Sequence, residues 1–259
     1  MKHLVWIAVL ATACNNADET KASIAGDSTV ATEKKATGNS AGCNNLIFFQ
    51  PGAEIYAQSY SEAGKVISSM HTKVMDVIKE EEGMMVAYVE ASDTSSGNHV
   101  LDMKYNYKCD GKSIYFDLAS MMRSTAREQD AQFEASPIEY PIAVKAGETL
   151  PDANGVMSIE KGGRKMTMKY HYKDRKVDGK EKVTTPAGTW NCYKISNVVE
   201  IEMDFPGLDE KAKKMMQTMT NQMKTTGITW FSPDFGIVKM ELYQNGKLQS
   251  RNEIVSVKR

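Results

Sequence analysis

Excess charge of either sign is missing from this sequence. Lys and Arg total 32 and Asp and Glu total 33, for a formal net charge of −1. That excludes a strongly basic nucleic-acid binder and an acidic disordered tail. Histidine is scarce. Of the four, His3 falls in the N-terminal segment, and His71, His99 and His171 are isolated from one another. No H-E-x-x-H, Walker loop or nucleophile elbow is present, so no stretch names a reaction. The four cysteines include no C-x-x-C pair, which argues against a zinc cluster. The Glu80-Glu81-Glu82 run lacks the spaced ligands of a twelve-residue calcium loop and reads as a solvated turn. Long apolar runs are also lacking: Leu4–Leu10 is far short of the roughly 20 residues that cross a bilayer.

That short run is nonetheless informative. Lys2 precedes it, and Ala11-Thr12-Ala13 places small residues directly before Cys14. This is the layout of a secretory signal. Small residues followed by Cys resemble a bacterial lipobox, although Ala11 stands where Leu is usual. Residues 1–13 therefore read as a lipoprotein signal peptide and Cys14 as the acylated first residue of the mature chain. Two or more acyl chains anchor a protein stably. The expected location is the cell envelope, at the outer membrane. The expected partners are the membrane through Cys14, a lipid or other apolar small molecule, and an envelope protein, with no nucleic acid.

Asn15–Gly42 contains Ala, Ser, Thr, Lys, Glu, Asn and Gly but no aromatic residue. Such a stretch buries too little surface to offset ordering entropy, and residues 14–42 read as a lipidated tether. Its random-coil reach is about 30 Å. Residues 43–259 read as one folded domain.

Within that domain the apolar residues recur mainly with period two. Met103, Tyr105 and Tyr107 alternate with Lys104, Asn106 and Lys108, and Ile195, Val199, Ile201 and Met203 continue the pattern later. This is the signature of a sheet with one buried face. Pro186-Ala187-Gly188 divides two β-rich arms into a hairpin over Lys182–Ile195. Asp110-Gly111 and Asn245-Gly246 mark further hairpins. Asp178-Gly179-Lys180 reads as the end of another strand. Val66–Ile78 is long for one strand and should bend. Two segments change period. Leu118–Phe133, with Leu118, Met122 and Ala126 about a turn apart, predicts a helix. Leu208, Ala212, Met215, Met216, Met219 and Met223 share one face of a second helix, with Asp209 and Glu210 at its start and Gly227 as its stop. The fold class is thus α+β, mainly β: one large curved antiparallel sheet or half-open β-barrel covered by two helices.

Methionine is the abundant residue, at 17. Its flexible, polarizable thioether fills cores and lines adaptable surfaces. Met215, Met216, Met219 and Met223, with Met122, are read first as core. They are also the candidate lining for an apolar ligand. Copper(I) capture by thioethers lacks an ordered motif, and no metal or other cofactor is expected. Among Cys43, Cys109 and Cys192, three single bridges are open. Cys43–Cys109 is favoured because Cys43 sits where tether meets fold and Cys109 at a strand end. In the entropic model such a bridge stabilises by about 4 kcal/mol.

Thr185-Pro186-Ala187-Gly188-Thr189-Trp190-Asn191-Cys192 and Trp230-Phe231-Ser232-Pro233-Asp234-Phe235-Gly236-Ile237-Val238-Lys239 resemble the paired motifs of a TapB-like family of Bacteroidetes envelope proteins. Trp190 replaces the usual Phe. The resemblance runs from Cys43 and includes Lys108–Gly111. It implies a curved sheet similar to the half-open barrel of the LolA/LolB lipoprotein carriers, with helices over the concave side. It implies no catalytic residues. The functional expectation is a membrane-anchored envelope lipoprotein, not an enzyme, that binds a lipid or other hydrophobic ligand. The alternative is an envelope scaffold for protein interaction without a ligand pocket.

Replacing the acylated residue tests the address. Cys14→Ser is expected to leave the membrane pellet for the soluble fraction on cell fractionation. Retention equal to wild type would remove the anchor.

Overall fold

The period-two segments form strands, and every strand joins one sheet. The structure, a computed structural model, describes residues 42–80, 83–93, 102–125, 131–161, 164–204, 206–207, 209–222 and 224–259. Cys14 and the signal and tether segments before Gly42 lie outside the described residues. In chain order the elements are β1 (Glu54–Ser61), β2 (Val66–Lys79), β3 (Met85–Asp93), β4 (Asp102–Cys109), β5 (Ser113–Phe116), α1 (Leu118–Thr125), β6 (Ala131–Ala135), β7 (Ile138–Pro141), β8 (Ala153–Lys161), β9 (Arg164–Thr185), β10 (Gly188–Asp204), α2 (Glu210–Gln222), β11 (Thr225–Ser232), β12 (Gly236–Gln244) and β13 (Lys247–Lys258). The 13 strands pair in the order β6-β8-β9-β10-β11-β12-β13-β1-β2-β3-β4-β5-β7. All pairings are antiparallel.

The two edge strands of this sheet, β6 and β7, are neighbours in sequence. Only Ser136 and Pro137 separate them. The three steps from Ala135 to Ile138 span no more than about 11 Å, so the opposite edges must lie near each other and the sheet must curl. It stays open, because β6 pairs with β8 and β7 with β5 rather than with each other. One buried cluster accordingly draws on both halves of the sheet: Ile55, Val74, Val89, Tyr107 and Tyr140 meet Val177, Ile195, Phe231 and Val238.

Arg175 crosses the seam. Its guanidinium donates to the carbonyl of Glu139 on β7 at 2.6 Å and to that of Pro151 at 2.7 Å. It also lies 5.3 Å from the centroid of the Tyr140 ring. The side chain is 2% exposed. A bulge puts it there: Ser196 pairs with Lys176 but Val198 with Lys173, so β9 carries extra residues opposite Asn197. Asp174, at φ 54°, turns the chain at this point. Bulges re-aim a side chain in this way, and Asp tolerates the left-handed region better than most residues. The chain after β7 is stitched to the same stretch of β9 by Gly147 N–H to Val177 O, Val177 N–H to Glu148 O and Leu150 N–H to Arg175 O.

The interior is filled by chain, not by helices. Cys43, Leu46 and Ile47 are fully buried, and Ile47–Phe49 forms a 3₁₀ turn. Phe48 packs on Tyr107 with ring centroids 4.5 Å apart. Cys43 and Cys109 form a disulfide. The two motif segments pack together here: Trp190 contacts Phe235 at 5.3 Å, the Trp230 indole N–H donates to Glu181, and Lys239 Nζ lies 4.4 Å from the Trp230 ring centroid. Gly236, at φ 119°, passes so close to Phe48 that a Cβ would meet its ring at 3.0 Å.

Several expectations change. The Leu118–Phe133 helix stops at Thr125 as described, and Ala131 and Phe133 belong to β6. Gly227 is not a helix stop. It lies in β11 opposite Asn197, where a Cβ would meet the amide oxygen at 2.8 Å. Asp178-Gly179 ends no strand, since β9 runs through it to Thr185. The helices do not roof this main core: α1 packs on β4 and β6, and α2 on β10. Val66–Ile78 does bend, at a bulge between Val74 and Asp76.

Arg175→Met keeps the bulk but removes two charge-assisted bonds. It is expected to lower unfolding free energy by about 3 kcal/mol or more. The readout is the urea midpoint at unchanged slope. A midpoint within error of wild type would show that the seam closes without it.

A candidate apolar site lined by methionine

A second buried cluster lies at the other end of β4 from the disulfide. Strand alternation sends Met157, Met168 and Met203 to one face, and register aligns them. Phe133 pairs with Met157, Met157 with Met168, and Met168 with Met203, across β6, β8, β9 and β10. α1 packs Leu118 and Met122 onto this ladder, and Met121, Ile201, Met203 and Tyr170 border it. Exposures are low: Met157 1%, Met168 4% and Met122 6%. Met203 and Ile201 are half-buried, so the ladder reaches the surface on the β10 side.

Local sequence explains how α1 is held. Asp117 caps it, its Oδ1 accepting the Ser120 N–H at 2.9 Å. The edge of β4 is satisfied by the same turn: Asn106 N–H donates to Ser120 Oγ at 3.0 Å, and Asp117 N–H to Asn106 O at 3.1 Å. Arg123 reaches the Phe133 carbonyl at 3.4 Å. Gly155 keeps the approach tight, since a Cβ there would meet Ala135 Cβ at 3.2 Å and Leu118 Cδ2 at 3.8 Å. α1 therefore touches both ends of the curled sheet and also covers the ladder.

The chemistry of this site is apolar. Burial pushes the Tyr170 hydroxyl up to about 12, so it is neutral at physiological pH. A ladder of thioethers adapts to the shape of its contents, as Met side chains do. Other residues with reactive potential are engaged elsewhere. Cys192 is fully buried, and burial, then the charge of Glu181, pushes its thiol up to about 12. A thiol so protonated is a poor nucleophile. His71 stacks on Tyr56 at 4.5 Å with Nε2 3.3 Å from Glu54. His171 Nδ1 bonds Asn154 Oδ1 at 2.8 Å. Among the described residues no three His, Cys, Asp or Glu side chains converge as a metal site.

The structure brings together only part of the predicted lining. Met122 lies in the ladder cluster. Met215 is 63% exposed on α2. Met216 and Met219 are placed on α2, but their side chains, like the whole of Met223, lie outside the described residues. Met157, Met168 and Met203 were missed as lining. Each sits at an alternating strand position, and only the pairing register shows that they are neighbours.

Comparison with known proteins adds the family. A family model described as DUF3108-like matches residues 50–254. The chain belongs to the DUF3108-like family. Two solved structures share the family member's fold. One is from Bacteroides fragilis and is named as an exported protein with a YmcC-like fold. It is 19% identical, covers 81% of this chain and 97% of its own, and has a TM-score of 0.60. The other, named as a lipoprotein of Parabacteroides distasonis, is 20% identical, covers 82% of this chain and 99% of its own, and has a TM-score of 0.61. At these identities the likeness shows the fold alone. No curated protein matches.

Met168→Ala is expected to cost about 2–5 kcal/mol, the range for truncating a buried Met. Met168→Leu should cost less than about 1.5 kcal/mol. Both are read by urea unfolding. Equal, negligible losses would mean that the ladder is not packed as described.

Proposed function

We propose that this DUF3108-like protein is a membrane-anchored envelope lipoprotein that holds a lipid or other apolar ligand against the methionine ladder. In this reading residues 1–13 are a removed signal, Cys14 carries the acyl chains, residues 14–42 are a tether, and residues 43–259 are one domain held off an outer membrane. The protein is a binding module, not an enzyme. The TapB-like motifs and the resemblance to the LolA/LolB half-barrel belong to the same reading. Names of the two similar structures, one exported and one a lipoprotein, support the envelope address. No helix among the described residues is long and apolar enough to cross a membrane.

One observation carries the ligand reading. The Phe133–Met157–Met168–Met203 row is covered by α1, described over eight residues, and ends at half-buried Met203 beside Ile201. A short helix shifts more readily than a strand in the middle of a sheet, because its helical stability comes from packing. The main interior is a poorer candidate, since Cys43, Leu46 and Ile47 occupy it. That filled interior is what favours the second reading, a scaffold that contacts another envelope protein through its sheet surface.

A fluorescent fatty-acid displacement assay on the Cys14→Ser chain separates the two. Saturable binding that is weakened by Met157→Trp, which fills the ladder, is the expected result. Absence of saturable binding would remove the ligand reading and leave the scaffold.

A further inference from the structure

Where the tether enters the fold, the outer face of the sheet is apolar. Met75, Ile78 and Tyr88 are 47%, 40% and 41% exposed. They are contiguous. Met75 is the extra residue of the β2 bulge, Tyr88 pairs with the next residue, Asp76, and Ile78 pairs with Val86, two residues before Tyr88. Val74, Val77, Ala87 and Val89 of the same strands belong to the interior core, so Asp76, Ile78 and Tyr88 face the other way. Isolated exposed apolar residues are ordinary, whereas a contiguous patch marks a contact surface.

Position selects the partner. Ile78, Val86 and Lys108 form one row across β2, β3 and β4, and Lys79, Met85 and Cys109 form the next. Cys109 is bonded to Cys43. Gly42 lies against the adjoining turn, where a Cβ would meet Gly111 O at 2.7 Å. Gly42, beyond which the chain leads back to Cys14, thus lies at the same strand ends as the patch. We infer that Met75, Ile78 and Tyr88 rest on the bilayer that carries the Cys14 acyl chains, so that the domain is held in one orientation. The inference rests on the anchor reading above but not on the ligand reading. Tyrosine and lysine beside aliphatic side chains suit the headgroup level of a bilayer. Lys108 is offset by Asp76 on the same face, and Glu80, Glu81 and Glu82 follow β2 in sequence. That balance favours zwitterionic headgroups over anionic ones.

Exposed methionines provide the test. Full-length acylated protein is reconstituted in phosphatidylcholine vesicles and treated briefly with aqueous peroxide. Sulfoxide at Met75, Met215 and Met240 is then quantified by peptide mass spectrometry, with the Cys14→Ser chain in solution as reference. Met215 and Met240 are also exposed, at 63% and 39%, and lie on α2 and β12. Oxidation of Met75 is expected to slow several-fold on vesicles while the other two keep their solution rates. Unchanged Met75 oxidation in protein that floats with the vesicles overturns the docked face. Acylated protein that fails to float overturns the anchor itself. A Met75→Leu, Ile78→Asn, Tyr88→Asn variant at exposed positions supplies a second readout. It should remain anchored yet become more reactive at Lys108 toward a water-soluble amine-acylating reagent, and labelling no greater than wild type would also count against the docked face.

Discussion

Two residues, Ser136 and Pro137, join the opposite edges of a 13-stranded sheet. Most of the architecture follows from that short connection. A sheet of this width twists by itself, but twist alone does not bring its first and last strands together. Here the chain leaves β6 with a last backbone bond to β8, Ser136 N–H to Asn154 O at 2.8 Å, and takes up β5 as β7. The two ends are then held by contacts of different kinds. At one place α1 touches β4 and β6 and satisfies the open edge of β4. At another the buried guanidinium of Arg175 binds two carbonyls across the gap. A buried cation is costly unless its donors are occupied, and those two carbonyls and the Tyr140 face supply its partners.

Curling leaves a hollow, and the hollow needs contents. The chain from Cys43 to Ala53 supplies them, tied to β4 by the disulfide and to the β11–β12 turn by Ile47 N–H on Phe235 O. The same arrangement sets Gly42 against the β4–β5 turn. At the α1 end the buried cluster is rich in methionine, with Met122, Met157 and Met168 in it. The proposed ligand site thus lies at the other end of β4 from the disulfide.

Much of the fold could be read from residues. Alternation in Met103–Lys108 and Ile195–Met203 marked strands, and Asn245-Gly246 makes its hairpin with φ of 52° and 74°. The misreadings have physical causes. Phe133 lies roughly a helical turn from Gln129, yet it is buried as a strand residue against Met157, so tertiary pairing overrode a short periodic signal. Gly227 looked like punctuation but serves close packing against Asn197. Asp178-Gly179 has the letters of a turn, while its neighbours' pairing with β10 keeps it extended. Arg175 gave no signal at all, because its burial depends on a bulge that only the register reveals. The methionine ladder was half legible: Met122 stood out by period, and the rest needed strand order. Met215 shows the converse, a helical stripe whose described member faces solvent.

Amide hydrogen exchange where the β7–β8 connection meets β9 tests the curl most directly. Gly147, Leu150 and Val177 donate there, so their amides should exchange as slowly as those of central strand residues such as Ile195, through global unfolding. Exchange of these three on the timescale of fraying loops, with Ile195 still protected, would contradict the curl on which the architecture rests.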